Sequence, residues 1–311
     1  MSAGAVSGRS GPSRRALLAA GLALAAGRAR AQGAQAGAAL RVATVDWALL
    51  ETLLGMGITP VAAAELVLFR EVAVEPPVPA SVIDIGLRGA PNFEALKLAR
   101  PNLIFSSNYY AEFEPRLRLI APVETISVYR TGEPPYQRAE KAAERIGVLT
   151  GREDAARALI AGVSDELDAC RARLARRAGQ PLMVLNLGDA RHFRVFGRDS
   201  LFGEVLARLG FANAWREGTS YAASAPIGLE ALARFPDAFL IVLRPVPPDA
   251  ARVLSTSALW NALPNIRARR IAVLDSVDPF GGLPTAARFA RLLTAALLRD
   301  GGAGRQGGDL G

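Results

Sequence analysis

Short apolar runs alternate with segments of helical periodicity along most of the chain. In the first half, apolar and β-branched runs predict strands at 40–45, 60–64 and 103–106, and apolar positions at helical spacing predict helices at 47–56 and 92–100. Strands and helices that alternate at these lengths are typical of a parallel sheet with helices on its faces. We therefore expect an N-terminal α/β lobe over residues 38–150.

The same alternation resumes after Gly179 and predicts a second α/β lobe over residues 180–298. Its predicted strands are 181–187, 193–196, 239–243 and 271–274, and its predicted helices are 201–209 and 286–298. Residues 299–311 are rich in glycine and carry too little apolar surface to order themselves, so we expect a flexible tail there.

Between the two lobes, one apolar stripe predicts a long interdomain helix over residues 153–177. The stripe consists of Ile160, Val163, Leu167, Cys170 and Leu174. A helix of this length extends ~37 Å at 1.5 Å per residue, which suits a connection between two lobes. Ligands favour clefts at domain interfaces, so a binding site between the lobes is expected.

An internal similarity links the two halves. Residues 92–104 and 228–241 both contain a turn, a Glu-Ala-Leu string, a predicted helix, a proline and an apolar strand. The glutamates of the two strings are Glu94 and Glu230. The similarity indicates related supersecondary units in two lobes, and the alternative is a coincidence between ordinary helix–strand units.

Residues 1–31 have the pattern of a twin-arginine-type signal peptide. Arg14-Arg15 precede a weakly apolar run at 16–26, and a small-x-small cleavage site follows at 29–31. The expected location is the periplasm, reached by the twin-arginine route. The alternative for this segment is an uncleaved amphipathic anchor.

The formal charge of +8 reflects this leader, because five of the 37 basic residues and no acidic ones lie in residues 1–31. The remaining 32 basic residues face 29 acidic ones, which leaves about +3. Only 6% of the residues are aromatic, so an extended surface for stacking bases is not expected. We therefore expect no nucleic-acid partner.

Motifs for covalent chemistry are missing from the sequence. A single cysteine, Cys170, and a single histidine, His192, exclude an internal disulfide and a two-histidine metal site. The sequence contains no phosphate-binding loop, no dinucleotide fingerprint and no nucleophile elbow. The sequence therefore favours a binding protein over an enzyme.

Two candidate ligand-binding residues follow predicted strands. Arg88 comes directly after a short strand and before a Gly-Ala-Pro turn, and Tyr110 follows the strand at 103–105. In open α/β sheets, ligand groups come from the carboxyl ends of strands. A guanidinium offers a planar fork of donors to oxygen anions, and a phenol offers one donor. The alternatives are a surface salt bridge for Arg88 and an aromatic at the cleft rim for Tyr110.

Strings along the chain, from about residue 41 to about residue 298, resemble the iron–hydroxamate siderophore-binding proteins of periplasmic ABC importers. Asp84-Ile85-Gly86-Leu87-Arg88 and the Arg-His-Phe-x-Val-Phe-Gly string at 191–197 are fairly specific to the ferrichrome-type branch. The other matching strings lie at 75–79, 82–83, 91–94, 101–104, 120–122, 189–190, 200–202, 213–215 and 259–264.

This resemblance implies an α/β protein of two Rossmann-like lobes joined by one long helix, the class III periplasmic binding protein architecture, with a shallow cleft. It implies that Arg88 and Tyr110 donate hydrogen bonds to hydroxamate oxygens around Fe(III). The siderophore would hold the iron, so no cofactor of the protein's own is expected. Glu94 and Glu230 would dock a monomer onto the ABC importer permease at the inner membrane, and the alternative for both is an exposed helix glutamate.

The chain departs from the ferrichrome-type pattern on the C-terminal side of the cleft. Ala222 and Asp278 stand where tryptophans are expected, and the remaining aromatics there are Tyr221 and Phe280. With Tyr109 beside Tyr110, these residues predict a wider and less aromatic site. A binding protein for cobalamin, haem or a catecholate siderophore and, from another class, an exported enzyme are the alternatives.

Overall fold

In a computed structural model, the described residues are 40–219 and 226–300. The predicted signal peptide at 1–31, Tyr221 with its neighbour Ala222, and tail residues 301–311 lie outside them.

The N-terminal lobe contains a parallel sheet with the strand order β3-β2-β1-β4-β5. Its strands are β1 (Val42–Thr44), β2 (Ala62–Ala63), β3 (Ile83–Asp84), β4 (Leu103–Ser106) and β5 (Val123–Thr125). Its helices are α1 (Trp47–Gly55), α2 (Leu66–Val72), α3 (Phe93–Leu98) and α4 (Glu114–Leu117), and a 3₁₀ turn covers Asn108–Phe113. Since the strands are parallel, their carboxyl ends lie at one edge of the sheet.

Side-chain caps explain where the predicted N-terminal helices begin. Asp46 accepts a hydrogen bond from the Leu49 N–H at 3.1 Å and caps α1. Asn92 accepts from the N–H groups of Glu94 and Ala95 and caps α3. Both helices satisfy otherwise unpaired donors of their first turns in this way.

Two helices connect the lobes, α5 (Pro135–Thr150) and α6 (Glu153–Arg173). The apolar stripe predicts one helix over 153–177, but the α-helix ends at Arg173 and residues Ala175–Arg177 form a 3₁₀ turn. The reason is that Leu174, which is buried, leaves helical geometry, and the last turn tightens to shorter-range hydrogen bonds.

The C-terminal lobe contains a mixed sheet with the order β11-β10-β6-β7-β9, in which β8 also pairs with β6. Its strands are β6 (Pro181–Leu187), β7 (His192–Phe196), β8 (Ala212–Asn213), β9 (Ile227–Gly228), β10 (Phe239–Leu243) and β11 (Ile271–Leu274). Its helices are α7 (Leu201–Arg208), α8 (Pro248–Thr256), α9 (Ala258–Ala262), α10 (Pro264–Arg267) and α11 (Leu283–Asp300). Strands β6, β10 and β11 are parallel, and β7 is antiparallel to β6.

Two predicted boundaries in this lobe are wrong. The second copy of the internal similarity is a 3₁₀ turn, Leu229–Arg234, because Phe235 leaves helical geometry before Pro236, where proline disfavours a helical residue. Helix α11 begins three residues before the predicted start at 286. It also continues through Arg299 to Asp300, two residues into the predicted tail, because its regular backbone hydrogen bonding does not stop at 298.

The largest hydrophobic core contains residues of both lobes. It joins α1 and α5 from the N-terminal side to α6, α7, α11 and one face of the C-terminal sheet, and Cys170 is one of its buried members. Smaller cores cover the other sheet faces. Within residues 40–219 and 226–300, no helix combines the length and the apolar character needed to cross a membrane.

Candidate ligand-binding site

Functional groups from both lobes meet in the cleft at the carboxyl ends of parallel strands. Asp46 follows β1, Arg88 follows β3 and Tyr110 follows β4, and we call these three residues the N-terminal wall. Asp278 and Phe280 follow β11 and form the C-terminal wall. The charge of Asp278 acts on the pKa of both Arg88 and Tyr110, so the two walls lie close to each other.

Arg88 is held in place by contacts on two sides. Its Nε donates to Glu65 Oε2 at 2.7 Å, and its guanidinium carbon lies 3.6 Å from the centre of the Trp47 ring. Trp47 is itself fixed by a 3.0 Å hydrogen bond from Nε1 to the Ala64 carbonyl. The Arg88 side chain is nevertheless 28% exposed, so its position is determined while part of the side chain remains accessible.

The residue that holds Arg88 has a strained backbone. Glu65 lies in the left-handed region with φ of 57°, which a non-glycine residue rarely adopts. Its N–H donates to the Gly86 carbonyl at 2.7 Å, on the loop that carries Arg88. The strained turn therefore fixes both the backbone and the side chain of Arg88.

Tyr110 lies beside Arg88 and is half-buried. Burial and the charge of Asp46 raise the pKa of its phenol, and the charge and hydrogen bond of Arg88 only partly oppose this. The hydroxyl therefore stays protonated at neutral pH and keeps its donor. Its neighbour Tyr109 is 49% exposed and lies nearer to solvent.

Two carboxyl groups face this pair, a half-buried one on Asp46 and a buried one on Asp278. Burial raises the pKa of Asp46, although the hydrogen bond from the Leu49 N–H and the charge of Arg88 oppose the rise. Burial also raises the pKa of Asp278, to about 6, and the charge of Asp46 acts in the same direction, against a hydrogen bond from the Phe280 N–H and the charge of Arg88. A low-dielectric site thus holds more carboxyl groups than cations.

A group of buried hydrogen bonds between the lobes, which we call the interlobe seam, holds the C-terminal wall against the N-terminal lobe. Glu51 of α1 accepts hydrogen bonds from the Gly282 N–H at 2.9 Å, the Thr285 N–H at 3.2 Å and the Thr285 hydroxyl at 2.8 Å. Burial raises the pKa of Glu51, and the nearby charge of Asp278 adds to this. Tyr129 donates to the Gly281 carbonyl at 2.7 Å. These bonds occupy the first turn of α11 and explain why that helix begins earlier than predicted.

Ion pairs extend the interlobe seam along α11. Arg288 donates to Glu75 Oε1 at 2.7 Å and, through Nε, to the Ser276 carbonyl at 3.0 Å. Arg291 pairs with Glu75 and with Glu166 of α6. The loop that carries the C-terminal wall is therefore tied to both the N-terminal lobe and the connecting helix.

The other predicted site residues are Phe280 of the C-terminal wall, Tyr221, Glu94 and Glu230. Phe280 is half-buried and packs edge-on against Tyr129, with ring centres 5.5 Å apart. Tyr221 lies outside the described residues. Glu94, in the first turn of α3, and Glu230, in the 3₁₀ turn after β9, are both exposed.

Sequence reasoning missed four contributors to the site. Asp46 comes two residues after the end of β1, so the rule that located Arg88 and Tyr110 would also have located it. Glu65 and Trp47 contact Arg88 from 23 and 41 positions away in the chain, and no local signal marks such partners. The sequence marks Asp278 only as the absence of an expected tryptophan, and its place near Arg88 comes from the structure.

A separate concavity, of about 540 Å³, opens near the amino ends of the C-terminal strands. Its lining includes Pro181, Trp215, Arg234 and Ala238. Because ligands in open α/β sheets bind at the carboxyl ends, this concavity is not the candidate site. Within the described ranges, no group of three or more His, Cys, Asp or Glu side chains is placed to hold a metal ion.

Comparison with known proteins gives matches over most of the chain. A family model described as "Periplasmic binding protein" matches residues 42–277. The iron(3+)-hydroxamate-binding protein FhuD of Escherichia coli (strain K12) is 32% identical over 257 residues, which is 83% of this chain and 86% of that protein. The Fe(3+)-citrate-binding protein YfmC of Bacillus subtilis (strain 168) is 23% identical over 81% of this chain and 78% of that protein.

Among solved structures, the siderophore-binding protein FhuD of Vibrio cholerae bound to Fe3+–Desferal matches with a TM-score of 0.79 at 25% identity. The match covers 84% of this chain and 98% of that chain. The predicted two-lobed α/β architecture is confirmed by this similarity together with the two sheets.

Proposed function

Because this chain belongs to the periplasmic binding protein family, we propose that it captures a ferric hydroxamate siderophore outside the cytoplasm and delivers it to an ABC importer. Two similar proteins support the ligand class. One is an iron(3+)-hydroxamate-binding protein, and the other has Fe3+–Desferal bound. The role is binding and not covalent chemistry, in agreement with the binding proteins that the chain matches.

The observation that carries the proposal is the position of Arg88. Its guanidinium lies at the carboxyl edge of the sheet and is fixed by Glu65 and Trp47, and the side chain is still partly exposed. Hydroxamate oxygens around Fe(III) carry negative charge and accept hydrogen bonds, which suits a planar cationic donor. Tyr110 adds a neutral donor beside it. The iron arrives as cargo already held by the siderophore, and the protein supplies no cofactor.

The interlobe seam supports a site that changes little on binding. Glu51 and Tyr129 hold the loop of the C-terminal wall against the N-terminal lobe. A rigid ferric complex in a prepared cleft loses little conformational freedom, so a large closing motion is not required for affinity.

We further propose that Glu94 and Glu230 dock the protein, as a monomer, onto basic residues of the permease at the inner membrane. The two side chains are exposed, one on each lobe, as docking requires. Residues 1–31 would direct export by the twin-arginine route, as their sequence pattern indicates.

The ligand class is tested by a thermal-shift screen of the purified protein. The panel contains Fe3+–Desferal, cobalamin, haem and a ferric catecholate, because a ligand that binds only the folded state raises the melting temperature. We expect the largest rise with the ferric hydroxamate. A larger rise with any other member would contradict the proposed ligand, and turnover or cofactor absorbance in the ligand-free protein would indicate an enzyme instead.

A further inference from the structure

Asp278 is a buried carboxyl group with a hydrogen-bond donor at only one of its two oxygens among the described residues. Its side chain is 2% exposed, and its Oδ1 accepts a hydrogen bond from the Phe280 N–H at 3.1 Å. Its Oδ2 is buried and has no hydrogen-bond partner among residues 40–219 and 226–300. Buried polar atoms are normally paired, because a lone acceptor loses its hydration without compensation.

The charges around Asp278 do not neutralise it. From the N-terminal lobe it faces one cation, Arg88, and two further carboxyl groups, Asp46 and Glu51. The phenols of Tyr110 and Tyr129 also lie within reach of its charge. The cation is already engaged by Glu65 through Nε. Asp278 Oδ2 therefore has no hydrogen-bond donor among the described residues, and the one cation that Asp278 faces is shared with other carboxyl groups.

A ligand could supply both with one group. A ferric complex of three hydroxamates is neutral, because three singly charged ligands balance Fe(III), and its oxygens are acceptors that suit Arg88 and not Asp278. A protonated amine on the same siderophore is a donor that carries a positive charge, and a charge-assisted hydrogen bond is about twice as strong as a neutral one.

We infer that Asp278 is a specificity residue that selects ferric hydroxamates carrying a protonated amine over neutral ones. The inference rests on the proposed function and narrows its substrate class. Arg88 and Tyr110 bind the chelate that all members of the class share, and Asp278 discriminates among them. Specificity is a difference between two affinities, so it can be measured with two ligands that differ in one group.

The experiment compares Fe3+–Desferal, whose chain ends in an ammonium, with its N-acetylated form, which has the same three hydroxamates and no charge. Dissociation constants are measured by fluorescence quenching at pH 7.5 and pH 5. We expect the wild-type protein to bind the ammonium form about ten-fold more tightly at pH 7.5. The preference should fall at pH 5, where Asp278 takes up a proton, while an aliphatic ammonium stays charged throughout.

Asp278→Asn keeps the shape of the side chain and the acceptor for the Phe280 N–H. We expect it to reduce the preference to within about two-fold, chiefly by weakening binding of the ammonium form. Asp275→Asn, an exposed position on the same loop, is the matched control and should retain the wild-type preference. If Asp278 has only a structural role, Asp278→Asn should weaken the binding of both ligands equally and leave the ratio of their dissociation constants unchanged.

The outcomes separate this inference from the proposed function. Tight binding of both ligands by the wild-type protein without a preference would overturn the inference and leave the function standing. A preference that survives in Asp278→Asn would also overturn it. If neither ferric complex bound the wild-type protein, the proposed function and the inference would both be wrong. If Asp278→Asn does not fold, the pH dependence of the wild-type preference decides the question.

Discussion

The two walls of the cleft differ in how many partners within the protein their charged side chains have. On the N-terminal wall, Arg88 has a carboxylate, an aromatic ring and a phenol as partners before any ligand arrives. On the C-terminal wall, Asp278 has one backbone donor, and its second oxygen has no partner in the described parts of the chain. Under the proposed function, the preorganised cation would bind a feature that all ferric hydroxamates share, whereas the partly paired carboxyl group would respond to features in which they differ.

The largest expected effect concerns the outer surface of both lobes. Glu94→Ala together with Glu230→Ala should abolish siderophore-dependent iron uptake in cells while the dissociation constant of the purified protein stays within about two-fold of wild type. The reason is that the two glutamates are exposed and lie outside the walls. Uptake of labelled iron is the measurement, and Glu144→Ala, exposed on α5, is the control. Continued uptake by the double variant would rule out the docking assignment.

Within the N-terminal wall, Arg88→Ala should weaken binding of Fe3+–Desferal ten-fold or more, because a hydrogen bond to a charged group contributes ~1.5–3 kcal/mol. Arg88→Lys should also weaken it, since an ammonium lacks the planar fork and the stacking on Trp47. Arg116→Ala is the matched control, because its guanidinium carbon stacks 3.8 Å from the Phe93 ring in the same lobe. Unchanged fluorescence titrations for Arg88→Ala would remove this residue from the site.

A smaller effect should follow from loosening the contact that positions Arg88. Glu65→Gln keeps the size of the side chain but removes its charge, so we expect binding to weaken by about three- to ten-fold. If Glu65 acts only through Arg88, the same substitution in an Arg88→Ala background should change affinity no further. Full additivity of the two substitutions would show that Glu65 acts independently of Arg88.

The smallest expected effect is on stability and belongs to the C-terminal wall. Asp278 has a raised pKa in the folded protein, so the folded state keeps a proton that the unfolded state releases. Its contribution to the free energy of unfolding therefore falls as pH rises from the ordinary carboxyl pKa through about 6. Between pH 5 and pH 7.5, the free energy of unfolding of the wild-type protein should fall by about 1 kcal/mol more than that of Asp278→Asn. Urea denaturation at both pH values measures this, and parallel losses would contradict it.

The accuracy of the sequence predictions varied with the physical signal behind each one. Strands β4, β6, β10 and β11 were predicted with their observed ends, because buried strands are short apolar runs with clear boundaries. Helix α5 was missed because alanines and Tyr136, and not large aliphatic residues, form much of its buried face. The apolar spacing in the 3₁₀ turn Leu229–Arg234 is the same as in an α-helix. The turn does not continue as a helix because Phe235, before Pro236, leaves helical geometry.

The amino-acid sequence alone determined the two α/β lobes, the long connecting helix and the placement of Arg88 and Tyr110 at strand ends. Each of these follows from local periodicity or from position relative to a strand, which neighbouring residues encode. Only the tertiary structure decided that Glu65 and Trp47 hold Arg88, that Glu51 ties α1 to α11 and that Asp278 faces the guanidinium. Such contacts join residues far apart in the chain, and their energies depend on burial, which exists only once the lobes have packed together.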